Sequence, residues 1–165
     1  MSTVEMNSDS FAGLLKSRLV AYSDLIKFRL SALVTFSAVF GYILGDRGID
    51  FGWSGFFGLV LGGFFISGAS GAANEIMERD LDKLMKRTYQ RPLPQNNMSL
   101  NESYVVVILC LLSGLYLLFQ LNFQTAFLGL LSFISYVFIY TPLKRVTPWA
   151  VLVGAFPGAM PPMLG

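Results

Sequence analysis

No histidine occurs in the 165-residue chain. That removes an imidazole base, an imidazole metal ligand and an imidazole haem ligand from anything these residues can do. Cysteine is nearly absent: Cys110 stands alone in an apolar run, so no disulfide can form within the chain and no redox compartment follows. Charge is scarce too. Asp, Glu, Lys and Arg make up 13% of the residues, where a soluble domain carries about 25%. The net charge of +2 says little, and no nucleic-acid partner is expected. The N-terminus lacks the small-residue cleavage pattern of a signal peptide, and Glu5 and Asp9 argue against a mitochondrial transit peptide. The first span is therefore expected to serve as an uncleaved insertion signal.

What the chain has instead is long apolar runs. From Ser103 to Leu143 there are 41 consecutive residues without a charge, and from Phe51 to Asn74 there are 24. A membrane span needs roughly 20 apolar residues, so the first run fits two spans and the second fits one. The expected architecture is an all-α, polytopic transmembrane helix bundle. Its spans are placed near 25–44, 51–73, 103–121, 123–142 and 149–165, with Gln120, Asn122 and Gln124 at the turn between the third and fourth. Residues 1–24 read as a cytoplasmic N-terminal segment. Phe11, Leu15, Leu19, Tyr22 and Ile26 recur there at helical spacing, which fits either a helix on the membrane surface or an extension of the first span. Trp53, Tyr104, Tyr140 and Trp149 fall at span ends, where aromatic belts sit. Eleven of the 12 Lys and Arg residues lie on one side of this topology and only Arg47 on the other. The positive-inside rule then puts the N-terminus and the segment 74–102 in the cytoplasm.

Segment 74–102 holds ten of the chain's charged residues. On a helix, Asn74, Glu78 and Asp82 follow one another at every fourth position and form one stripe. Gly63, Ser67 and Gly71 lead into that stripe as a track of small residues that lets helices approach closely. Three hard oxygen donors on one face suit Mg²⁺, which takes one or two carboxylates together with water and substrate phosphates. Lys83, Arg87 and Arg91 repeat the four-residue spacing on a neighbouring line, where cations hold phosphate oxygens. Metal plus cations at a membrane surface suggest a diphosphate whose lipid tail lies in the bilayer. The alternative is a solvated helix face laced with pairs of opposite charge. Glu75, Arg79 and Lys86 are read that way, and Asp80, about 120° from the stripe, as a supporting partner or a solvent-facing group.

The stretch Asn74-x3-Glu78-Arg-Asp80-x-Asp82-x2-Met85-x-Arg87-Thr88-x2-Arg91-Pro92-Leu93 resembles the first aspartate-rich motif of the intramembrane prenyltransferase superfamily. A second signature, Tyr140-Thr-Pro-Leu-Lys144-Arg-x-Thr147 followed by Gly154-Ala-Phe-Pro-Gly158-Ala-Met-Pro-Pro-Met-Leu-Gly165, is similar to the haem O synthase (protohaem IX farnesyltransferase) branch. Lys27-Phe-Arg29-Leu looks like that branch's Lys-Pro-Arg sequence, with Phe28 in place of the proline. The resemblance covers about residues 22–165. It implies a bundle of about nine spans, of which about five are present, in the bacterial inner membrane. It further implies transfer of a farnesyl group from farnesyl diphosphate to a vinyl group of haem b, through Mg²⁺-assisted loss of diphosphate and an allylic cation. Water then completes haem O for terminal oxidase assembly, with haem-pathway or oxidase-assembly proteins as partners. Carried over by position, Asn74, Glu78 and Asp82 are the catalytic and metal residues, while Lys83, Arg87, Arg91 and Lys144 bind substrate. For Lys144 an ordinary positive-inside anchor is an equal alternative.

Two departures from the family pattern stand out. Glu78 occupies a position where the superfamily usually has Asp, and no second acidic motif follows, since Glu102 is the only carboxylate after Asp82. The chain is accordingly read as the N-terminal half of a longer protein, inactive by itself. Pro157, Pro161 and Pro162 are expected to break or kink the fifth span and free backbone carbonyls beside protein or a cavity. Other readings remain at this point: a prenyltransferase acting on a quinone or aromatic acceptor, part of a transporter, or a non-catalytic half that packs with a partner.

Overall fold

The computed structural model describes residues 8–45 and 52–165. Arg47, the one cation assigned to the far side, lies outside the described residues. The described residues form an all-α bundle: α1 Ser8–Leu25, α2 Phe28–Gly45, α3 Trp53–Asp82, α4 Leu100–Phe119, α5 Phe123–Ile134, a π-helical turn Ser135–Tyr140, α6 Thr141–Leu143 and α7 Ala150–Leu164. By length and composition α2, α3, α4 and the continuous stretch Phe123–Leu143 are each long and apolar enough to cross a membrane, and α7 is a shorter apolar helix. Large apolar side chains such as Leu33, Phe36, Leu112 and Phe119 stand exposed on the outside of this bundle, as a lipid-facing surface requires.

α3 organises the molecule. Its 30 residues extend about 45 Å at 1.5 Å per residue, against a hydrocarbon core of about 30 Å. The apolar part ends near Ala73, so the last turns, Asn74 to Asp82, project past the membrane interior while staying helical. Lengthwise, α3 packs closely on α4 because glycines face each other. A Cβ on Gly114 would meet Ile66 Cγ1 at 2.9 Å and the Gly62 carbonyl at 3.0 Å, and one on Gly62 would meet Leu118 Cδ2 at 2.7 Å. The core around this contact is Leu59, Ile66, Ala69, Leu118, Ala126 and Phe133.

Helix termini follow from local chemistry. Ser99 and Glu102 form a reciprocal capping box at the start of α4, and the Asn122 side chain accepts from Thr125 N at the start of α5. The Glu102 carboxylate also accepts from Tyr22 and pairs with Arg18, tying α1 to α4. α1 is a separate helix rather than an extension of the first span. Lys27 adopts a left-handed backbone (φ 50°) between α1 and α2 and breaks the helix there.

The prolines of α7 do not break it. The helix runs through Pro157, Pro161 and Pro162 to Leu164. Pro161 has no N–H to offer the Pro157 carbonyl four residues earlier. The Ser132 hydroxyl donates to that carbonyl at 3.5 Å instead, so a side chain of the neighbouring α5 replaces the missing helical bond.

Candidate functional site

Asn74, Glu78 and Asp82 do share one face at the end of α3, as helical periodicity predicts. Each is held by a group that arrives from elsewhere in the chain. The Asn74 amide nitrogen donates to Glu78 Oε2 at 2.9 Å. Lys144 Nζ lies 2.8 Å from Asn74 Oδ1 and 2.9 Å from Glu78 Oε2, bridging the two. Arg145 Nε approaches Glu78 Oε1 at 3.9 Å while its Nη2 donates to the Met77 carbonyl at 2.7 Å. Asp82 is buried and pairs with Arg91.

Lys144 reaches this position through the π-helical turn. One extra residue in the turn lets the Thr141 hydroxyl bond to the Tyr136 carbonyl at 2.9 Å and to Asn74 Oδ1 at 3.0 Å. Such π-bulges recur at functional sites because they re-aim the residues that follow. Lys144 also lies over the Tyr140 ring, 5.4 Å from its centroid. The reading of Lys144 as a plain membrane anchor therefore does not describe its surroundings.

The cationic line of Lys83, Arg87 and Arg91 does not exist as a helical face. α3 ends at Asp82, and residues 83–99 form a series of turns, so four-residue spacing carries no directional meaning beyond that point. Arg91 meets Asp82 because this loop folds back. Lys83 pairs instead with Asp80 at 3.1 Å on the surface, and Arg87 is exposed. Asp80, with 88% of its side chain exposed, faces solvent.

Glu75 and Arg79 correct the expectation of a solvated face. Glu75 is fully buried, its Oε1 accepting from the Leu93 backbone N–H at 3.3 Å and its Oε2 having no partner among the described residues. The same loop that delivers Arg91 covers it: Leu93 and Met98 pack against Leu25 and Ala72 in a second small core. Arg79 is half-buried and donates to Asn96 Oδ1 at 3.3 Å. Lys86 is exposed, as expected.

Beneath the stripe lies a largely apolar cavity between α2, α3, α5 and α7, with Val34, Ile66, Pro157, Pro161 and Leu164 in its walls and Tyr136 and Lys27 towards the charged end. Lys27, Thr141 and Arg145 were not assigned roles from spacing, although all three lie in the quoted patterns: Lys27 before the position where the related pattern has proline, and Thr141 and Arg145 on either side of Lys144 in the second signature.

Two carboxylates one helical turn apart, with an amide oxygen a further turn back, fit a hard divalent cation such as Mg²⁺ in type and number. Among the described residues no three acidic, histidine or cysteine side chains converge, so remaining ligands would have to be water or substrate oxygens. The surrounding Lys144, Arg145 and Arg91 complement an anion larger than a carboxylate.

Residues 34–165 match the UbiA prenyltransferase family. The chain is 45% identical over 151 residues to a protoheme IX farnesyltransferase of Cytophaga hutchinsonii, an alignment covering 90% of this chain and 52% of that protein. It is 46% identical over 144 residues to one from Christiangramia forsetii (87% and 47%), and 40% over 148 residues to one from Koribacter versatilis (87% and 47%). The chain thus spans about half the length of the curated relatives it matches. No solved structure matches it. With the family match running from α2 through α7 across the stripe and the cavity, the chain is an integral membrane protein that belongs to the UbiA prenyltransferase family.

Proposed function

We propose that this chain supplies the donor-binding half of a farnesyltransferase that converts haem b to haem O. The observation that carries the reading is the adjacency of an oxygen stripe ringed by cations to an apolar cavity within the bundle. That pairing suits one molecule with an anionic head and an isoprenoid tail. The acceptor is taken from the names of the three relatives given above, each a protoheme IX farnesyltransferase.

Asn74, Glu78 and Asp82 would hold Mg²⁺, which supplies neutralisation of diphosphate charge. Lys144, Arg145 and Arg91 are now bound to those oxygens and exchange that role for phosphate oxygens when the head group arrives. Lys83 and Arg87, on the exposed loop, extend the positive surface through which the anion approaches. The apolar cavity orients the tail and excludes water, so that charge developing on the leaving diphosphate meets fixed donors rather than solvent. No base is needed from these residues for that departure, which fits the absence of histidine. In this reading the stripe lies on the cytoplasmic side of an inner membrane.

The test is direct. The complete protein, given haem b, farnesyl diphosphate and Mg²⁺, is expected to form haem O, detected by mass. Prenylation of a quinone precursor without haem O would replace this acceptor with the aromatic one; release of no diphosphate under either condition would overturn donor binding itself.

A further inference from the structure

Lys27 sits at the neck between the charged cluster and the apolar cavity, and it is the one charged residue among those lining that cavity. Its placement is built rather than incidental. The two-residue corner between α1 and α2 lies against α3 where Gly68 and Gly71 leave room: a Cβ on Gly68 would meet Ile26 Cβ at 3.3 Å, and one on Gly71 would meet Lys27 Cδ at 3.3 Å. The left-handed backbone at Lys27 is unusual for a residue with a long side chain and persists only where the surroundings hold it. Among the described residues its ammonium makes no ion pair. It nevertheless lies within electrostatic reach of Glu75 and Glu78, and of Arg91 and Lys144. Burial, aided by Arg91, lowers its pKa from the ordinary lysine value. A half-buried cation with strained backbone and no bonded partner among the described residues, at the junction of polar and apolar space, is a group suited to receive an anion.

We propose that Lys27 binds the phosphoryl group joined directly to the isoprenoid, at the point where head-group cluster and tail cavity meet. This rests on the donor reading above and deepens it. Lys144 and Arg91 stand on the stripe, within reach of the outer phosphate; among the described residues Lys27 is the one cation that lines the space the tail would fill. When the bond between the isoprenoid C1 and the bridging oxygen breaks, both electrons remain on that oxygen. Lys27 donates a hydrogen bond to it without transferring a proton, and the developing charge is met by a fixed ammonium.

The experiment uses the complete protein in lipid nanodiscs with Mg²⁺ and measures binding of three probes: farnesyl diphosphate, farnesol and inorganic diphosphate. Wild type is compared with Lys27→Met, which keeps the length and apolar stem, and with Lys27→Arg. Lys27→Met is expected to weaken farnesyl diphosphate at least tenfold and to leave farnesol unchanged within twofold, while Lys27→Arg stays within threefold of wild type. Unchanged farnesyl diphosphate binding in Lys27→Met, with Asp82→Ala defective, would overturn the role of Lys27 and leave the donor reading standing. A parallel loss of farnesol would mean that Lys27 only shapes the cavity, and a loss confined to haem b would make it an acceptor residue; either overturns the proposal. If wild type bound no diphosphate at all, the donor reading and this proposal would fall together.

Discussion

The two parts of α3 are held to their surroundings by opposite means. From Trp53 to Ala73 the helix is fixed by shape: Gly62 and Gly114 bring two backbones together and Leu118 and Ile66 fill the space beside them. From Asn74 to Asp82 it is fixed by charge, with Glu78 and Asp82 each paired to a cation from a different segment. Packing of the first kind has no alternative partner in a dry interior. Ion pairs of the second kind do, since a phosphate satisfies Lys144 or Arg91 as well as a carboxylate does. One helix thus combines a lower part fixed by packing with an upper part held by ion pairs, which the donor reading proposed above would exchange for ligand.

Replacing Asp82 with Ala tests the exchangeable end most severely. It removes a stripe oxygen and leaves Arg91 without its partner. Mg²⁺-dependent farnesyl diphosphate binding and prenyl transfer by the complete protein are expected to fall on the order of 10²–10³-fold. Titration of farnesyl diphosphate with and without Mg²⁺ measures it. Retained Mg²⁺-dependence would mean that the stripe does not hold the metal.

The rigid part should respond in stability instead. Gly114→Leu places a branched side chain where even a Cβ lies 2.9 Å from Ile66 Cγ1 and 3.0 Å from a backbone oxygen. Overpacking of this kind costs about 1–3 kcal/mol. Thermal melting in detergent should show it, with head-group affinity of the folded fraction unchanged. A loss of affinity at unchanged stability would erase the distinction between the two parts.

This division also explains what was legible in the sequence. Asn74, Glu78 and Asp82 were readable because helical periodicity is local, and α3 stays helical through all three. Apolar runs marked the membrane helices for the same reason. Arg91 was named on a periodicity that stops at Asp82; it reaches the stripe through a loop whose fold depends on Leu93 and Met98 packing against α1 and α3. Glu75 was misread because its burial comes from that same loop, which no spacing on α3 encodes. Lys144 was recognisable as a cation on the same side as the stripe, but its contact with Asn74 spans 70 residues of sequence and runs through a π-helical turn. Pro161 looks like a breaker until Ser132 is seen to donate to the Pro157 carbonyl that it leaves free.

A smaller effect probes the pairing across segments. Lys144→Ala and Glu78→Ala should each weaken farnesyl diphosphate binding, but their combination should cost less than the two separately. Removing either one already breaks the bridge between Asn74, Glu78 and Lys144. A coupling on the order of 1 kcal/mol is expected for residues in one network, measured by a double-mutant cycle on binding. Strict additivity would mean that the two act on the ligand independently.

The smallest effect is expected at Asp80, and it is the most discriminating for its size. Asp80 is two residues from Asp82 and carries the same charge, so any account based on local charge density treats them alike. Direction separates them. Asp82 points into the cluster and is almost fully buried, whereas Asp80 faces water and, among the described residues, pairs only with Lys83, three residues on. Such an exposed pair contributes about 0.2–0.5 kcal/mol. Asp80→Ala should therefore leave Mg²⁺-dependent binding within about twofold of wild type and melting nearly unchanged. If Asp80→Ala and Asp82→Ala proved equally damaging, the head group would be responding to the summed charge of the segment, and the orientation of one helical face would not be what selects it.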